Sequence, residues 1–207
     1  MENFERNWKI EGNLEQLLSR LNLQSKNDTH KLTLINQLLV YTGYGISERF
    51  HEELKNYLQS KLKEELNLTL LHALTCAYLA NAGDSIMLKF TESSSNYSCN
   101  LQIKLRCNKG LIRLEVDDNG KGIDKEIEPF LFSDAQKSTK RVLPENLMGI
   151  LFGFDGYSLP QARHTTTRFN GRVGYQNKGD GNGAIFWYEI PVLGIPKARK
   201  SNTNLLS

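Results

Sequence analysis

Apolar residues in the first third of the chain recur at helical spacing, at Leu14, Leu17, Leu18 and Leu21, then at Leu32, Ile35, Leu38 and Leu39. Asn27-Asp28-Thr29 supplies an N-cap for the second of these segments, and Thr42-Gly43-Tyr44-Gly45 breaks it. A third, more polar helix is expected from about 47 to 63. Residues 1–63 are therefore expected to form a short α-helical hairpin with a leader. From Glu64 an apolar helix should run to about Leu88, followed by a Ser/Asn-rich loop from Thr91 to Asn100.

The period then changes to two. Leu101, Ile103, Leu105 and Cys107 alternate with Gln102, Lys104 and Arg106, Asn108-Lys109-Gly110 turns the chain, and Ile112, Leu114 and Val116 alternate on the return. A long irregular segment, Asp124 to Gly156, precedes a helix with proline near its start at Pro160 and Asn170-Gly171 past its end. Two more strands, Arg172 to Asn177 and Ala184 to Pro191, flank the turn Gly179-Asp180-Gly181-Asn182-Gly183. This order predicts an α+β fold, a two-layer α/β sandwich over residues 64–195 with its helices on one face of a mixed sheet. A basic, flexible tail, residues 196–207, would follow it.

Composition excludes several classes. The net charge of +3 comes with 23 acidic side chains interspersed among the basic ones, not the one-sided field of a nucleic-acid binder. The start of the chain has no basic segment leading into an apolar one, so no secretory signal is expected and a cytoplasmic location is. Leu68 to Ala82 is free of charge but too short to span a bilayer, and His72 and two threonines interrupt it. Cys76, Cys99 and Cys107 lack metal-ligand spacing and read as reduced, structural thiols.

The sharpest chemical feature is Val116-Asp117-Asp118-Asn119-Gly120-Lys121-Gly122-Ile123, where a strand ends. A carboxylate at a strand end can accept a hydrogen bond from an exocyclic amine, and two glycines one residue apart let the backbone approach a flat ring. Alone, Asp-x-Gly-x-Gly is equally a plain turn. Its neighbours change that reading. Asp118, Gly120 and Gly122 resemble the first glycine box of the GHKL (Bergerat-fold) superfamily: gyrase, the large heat-shock chaperone, MutL, histidine kinases and the mitochondrial dehydrogenase kinases. Upstream, Leu79-Ala80-Asn81-Ala82-Gly83-Asp84-Ser85 is similar to the N box, and downstream Ile127-Glu128-Pro129-Phe130 is similar to the F box of histidine kinases. Gly156-Tyr157-Ser158-Leu159-Pro160-Gln161-Ala162-Arg163 resembles the second glycine box, in the form found in the dehydrogenase kinases. A glycine loop running into a helix N-terminus suits phosphate, because free N–H groups and the positive dipole end point at it.

The resemblance implies ATP and Mg²⁺ as cofactors. It implies that Asp118 binds the adenine amino group, that Gly120 and Gly122 flank the ring, and that Asn81 holds Mg²⁺ through ATP. It also places Asp84, Gly156, Ser158 and Leu159 at the nucleotide, and Lys137 and Lys140 in the ATP lid. Lys137, Lys140 and Arg141 read equally as a solvated loop. Two positions depart from the pattern. Relatives place a polar base four residues before the N-box asparagine, where this chain has Ala77, and the second glycine of the second box is Ser158.

His30 sits near a helix start and is a candidate phosphoacceptor, although its neighbour is Lys31 rather than an acid. His51 has acidic neighbours but little chain after it for a second bundle helix, and His72 and His164 suit packing or surface roles. Three functions compete: a histidine-kinase-like signalling protein, a degenerate GHKL module that docks a response regulator or another protein, and an anti-sigma-type serine kinase. The N-terminal helices are expected to serve dimerisation or phosphotransfer.

Overall fold

The computed structural model describes residues 4–20, 45, 48, 49, 52, 68–93, 97–133, 158–179 and 181–191. In chain order these include strand β1 (Phe4–Asn13), helices α1 (Leu14–Arg20) and α2 (Leu68–Glu92), and strands β2 (Ser98–Asn108) and β3 (Leu111–Asp118). A 3₁₀ turn (Glu128–Phe130), helix α3 (Ser158–Arg168) and strands β4 (Arg172–Asn177) and β5 (Ala184–Pro191) follow. Both hairpins fall where the alternation predicts them. The first turns on Lys109 and Gly110, both at positive φ, the geometry of a two-residue hairpin that matches strand twist.

The five strands lie in the order β1-β2-β3-β5-β4, and every neighbouring pair is antiparallel. This corrects the expectation of a mixed sheet. Two hairpins are antiparallel by construction, but their mutual direction is a tertiary choice, and β5 docks antiparallel to β3 with Asp117 opposite Ile185. The glycine turn before β5 consequently arrives at the same sheet end as Asp118.

The first residues also differ from the helical expectation for 1–63. Phe4–Asn13 is an edge strand paired with β2 along its length, so the sheet extends upstream of residue 64. Trp8 and Ile10 lie opposite Ile103 and Leu101, which face the core, a period of two that the helical spacing beginning at Leu14 obscures. Helix α1 starts where that spacing does. Asn13 and Gln16 close a reciprocal cap: Asn13 Oδ1 accepts from the Gln16 N–H at 2.9 Å, and Gln16 Oε1 accepts from the Asn13 N–H at 3.0 Å. The rest of the expected hairpin and the 196–207 tail lie outside the described residues.

Helices α2 and α3 pack on one face of the sheet. Leu74, Tyr78, Leu79, Ile86 and Met87 of α2 and Leu159 and Ala162 of α3 share a core with Leu101, Ile103, Leu105, Ile112, Leu114, Val116, Phe186, Tyr188 and Ile190. Each large side chain buried there stabilises the fold by about 1.5–3 kcal/mol, less the entropy of ordering it. The opposite face carries ion pairs, with Arg113 reaching Glu115 at 2.7 Å and Glu189 at 2.9 Å while its guanidinium lies 4.1 Å from the Trp187 ring centre. Among the described residues, no helix is long and apolar enough to cross a membrane.

Candidate functional site

Strand β3 alternates inward and outward, and the alternation ends with Asp118 turned inward and fully buried. Oδ1 of this carboxylate accepts from Ser85 Oγ at 3.0 Å and from the Gly120 N–H at 2.8 Å. Oδ2 is buried and, among the described residues, meets no donor at hydrogen-bond geometry. Burial raises the Asp118 carboxyl from its ordinary 3.8 to about 6; the Gly120 and Ser85 hydrogen bonds, the Lys178 charge and, least, the Ala184 backbone N–H oppose the rise. A buried acceptor short of a donor costs about 1–3 kcal/mol, so this oxygen is able to accept a further hydrogen bond.

The loop after Asp118 is held from three sides. From α2, the Ser85 carbonyl accepts from the Lys121 N–H at 3.0 Å, and a Cβ at Gly120 would lie 2.4 Å from Ser85 backbone and side chain, so only glycine lets the helix come this close. From β2 and the residue before it, Asn119 Oδ1 accepts from the Asn100 N–H at 2.7 Å and the Tyr97 hydroxyl at 2.9 Å, while its Nδ2 donates to the Ser98 carbonyl at 2.8 Å. From the β4–β5 turn, the Gly181 N–H donates to the Lys121 carbonyl at 3.0 Å and Asn177 Nδ2 to the Ile123 carbonyl at 2.8 Å. Gly183, at φ +80°, passes so near the Asp118 carbonyl that a Cβ would lie 2.0 Å from it.

One turn before Ser85 on α2, Asn81 is half-buried. Its Nδ2 donates to the Ala77 carbonyl at 2.8 Å and to Ser158 Oγ at 3.0 Å. Ser158 opens α3, so this bond joins the middle of α2 to the first residue of α3. The donor sets grade along α2 from a carboxylate end at Ser85 to an amide and helix-terminus end at Asn81. The first suits a flat ring with an exocyclic amine, and the second an anion and its counter-cation.

The family model for histidine kinase-, DNA gyrase B- and HSP90-like ATPases matches residues 64–194. The chain belongs to that ATPase family. Its fold is similar to that of a mycobacterial sensor histidine kinase, MprB, at 15% identity over 61% of this chain and 72% of that one, with a TM-score of 0.43. It is also similar to the catalytic domain of the histidine kinase ThkA in a nucleotide-free form, at 18% identity over 89% of this chain and 95% of that one, with a TM-score of 0.44. A sequence comparison with curated proteins gives no match.

Within this ATPase-family fold, Asn81, Asp118, Gly120, Gly122 and Ser158 lie along one side of α2 and the loops packed on it. Asp84 is buried on the same helix, and Leu159 is buried in the core. His30, Lys137, Lys140 and Gly156 lie outside the described residues. The motif reading passes over Ser85 as a functional residue, although its spacing of four from Asn81 puts both on one helix face. It also misses Lys178, whose ammonium reaches Asp117 at 2.6 Å beside the buried carboxylate, and Asn177; neither has a local signal. Among the described residues, no three His, Cys, Asp or Glu side chains group to hold a metal ion.

Proposed function

We propose that this chain binds ATP along α2, with the adenine at Asp118 and the phosphates toward Asn81 and the start of α3. We further propose that it works as a histidine-kinase-like signalling protein with weak or lost turnover. The observation that supports the reading is Asp118 Oδ2, a buried acceptor that meets no donor at hydrogen-bond geometry among the described residues, beside glycines that clear the approach. A purine amino group is the donor such an oxygen lacks. Asn81 Oδ1 is a hard amide oxygen fit for Mg²⁺ held on the phosphates, since both N–H bonds of that amide are already used. When bound, ATP supplies a transferable phosphoryl group; the chain's own residues bind and orient it.

Ala77 favours weak turnover. It occupies the turn before Asn81, where a polar side chain would act as general base, and its methyl group can neither take nor give a proton. The reading in which the domain docks a response regulator or other signalling protein, with nucleotide as a structural ligand, draws on the same residue. Calorimetric titration with ATP, with and without Mg²⁺, tests the proposal. Saturable binding that Asp118→Asn weakens supports it, and no binding in either condition overturns it.

A further inference from the structure

Asn81 and Ser158 are 77 positions apart in sequence, yet their side chains share a hydrogen bond. A primary amide has two N–H donors and one carbonyl oxygen. Here both donors are spent, one on the Ala77 carbonyl at 2.8 Å and one on Ser158 Oγ at 3.0 Å. Rotating the amide by half a turn would set its oxygen against the Ala77 carbonyl oxygen, acceptor on acceptor, and forfeit that bond, leaving the Ser158 hydroxyl, which can donate as well as accept, as its one partner. The amide therefore has one stable orientation. Its Oδ1 accepts no hydrogen bond from any described residue.

From this geometry we propose that Ser158 is a positioning residue, fixing the Asn81 amide so that Oδ1 is presented to a divalent cation on a bound polyphosphate. The inference rests on the nucleotide reading of this site. Ala77 holds the amide through its backbone and would do so with any side chain; the second anchor depends on a hydroxyl at 158, which glycine cannot provide. Ser158 is not among the described residues at positive φ, so its side chain sits there without backbone strain. It also opens an 11-residue helix whose positive end favours phosphate, so one side chain ties the cation ligand to the anion-binding end of α3.

The test is calorimetric titration of the full chain with ATP, with and without Mg²⁺, in the wild type, Ser158→Ala and Ser158→Thr. The expected result is that Mg²⁺ tightens ATP binding to the wild type. Ser158→Ala should lose about fivefold of that gain, the worth of one ordinary hydrogen bond, so that its loss of affinity is larger with Mg²⁺ than without it. Ser158→Thr, which keeps the hydroxyl, should restore the gain. If Ser158→Ala does not fold, Ser158→Gly removes the same hydroxyl and takes its place. A full Mg²⁺ gain in the hydroxyl-free variant overturns the inference, as does an equal loss with and without the cation. Wild-type binding that ignores Mg²⁺ overturns it too, while leaving the nucleotide site standing. Absence of any ATP binding overturns the site reading and this inference together.

Discussion

Ser85 Oγ donates to Asp118 Oδ1 across 3.0 Å, from the middle of α2 to the end of β3. The bond satisfies Oδ1 within the chain, while Oδ2 meets no donor at hydrogen-bond geometry among the described residues. Removing the hydroxyl takes one of the two hydrogen bonds that Oδ1 accepts from Ser85 and the Gly120 N–H. Ser85→Ala is expected to destabilise the fold by about 1 kcal/mol and to weaken ATP binding by roughly fivefold, read by urea denaturation and titration.

Asp118→Asn removes the charge and puts a donor where the ligand's donor should arrive. ATP affinity should fall roughly tenfold or more, since a mismatched buried pair costs about 1–3 kcal/mol. Unchanged affinity would mean that the adenine lies elsewhere.

The same carboxyl predicts a pH dependence. Ionising near 3.8 when unfolded and near 6 when folded, Asp118 holds its proton more tightly in the native state. Its contribution to stability is therefore fully present below about pH 4, declines as pH rises toward 6, and levels off above, a loss of about 3 kcal/mol. Other groups slope the other way: burial alone would raise Glu189, but Arg113 and Arg172 together lower it. The difference between wild type and Asp118→Asn isolates the Asp118 component, and it should move in favour of Asn between pH 4 and 6. Affinity for ATP, which calls on the ionised acceptor, should weaken as pH falls through about 6. A flat stability difference across that window would contradict the burial assigned to Asp118.

Gly120→Ala should damage fold and site together. The added methyl would lie 2.4 Å from Ser85 atoms belonging to a long buried helix that cannot retreat cheaply. A cost of about 2–3 kcal/mol or more is expected, with ATP binding lost in parallel. Gly45→Ala is the control, because a Cβ there meets nothing within 4 Å; its stability should stay within about 0.5 kcal/mol of wild type or rise slightly.

Ala77→Glu tests the proposed defect in turnover. It places a carboxylate one helical turn before Asn81, and general-base assistance is commonly worth about 10²–10⁴-fold. Phosphate release from ATP should rise above wild type. An ordinary kinase rate in the unmodified protein would refute the proposal of weak turnover.

The hairpins around Asn108 and residues 179–183, the apolar helix through Asn81 and the glycine box at Asp118 were legible in the chain itself, because each rests on a local period or a short motif. The strand Phe4–Asn13 was not, since an edge strand acquires its meaning from the partner it pairs with, and β2 lies far downstream. Nor was the antiparallel docking of β5 on β3, which brings Gly183 against the Asp118 carbonyl. In sequence Ser158 is only a departure from the glycine of the resembled box; its bond to Asn81, 77 positions away, is a product of the fold. The residue types that carry the chemistry are a property of sequence; whether an acceptor is buried, and whether any donor reaches it, depends on what distant segments are packed around it. The Asp118 motif is local, but the burial of its carboxylate, with Ser85 and Gly120 donating to Oδ1 and no donor at hydrogen-bond geometry to Oδ2 among the described residues, depends on α2, β2 and the β4–β5 turn closing over one end of the sheet.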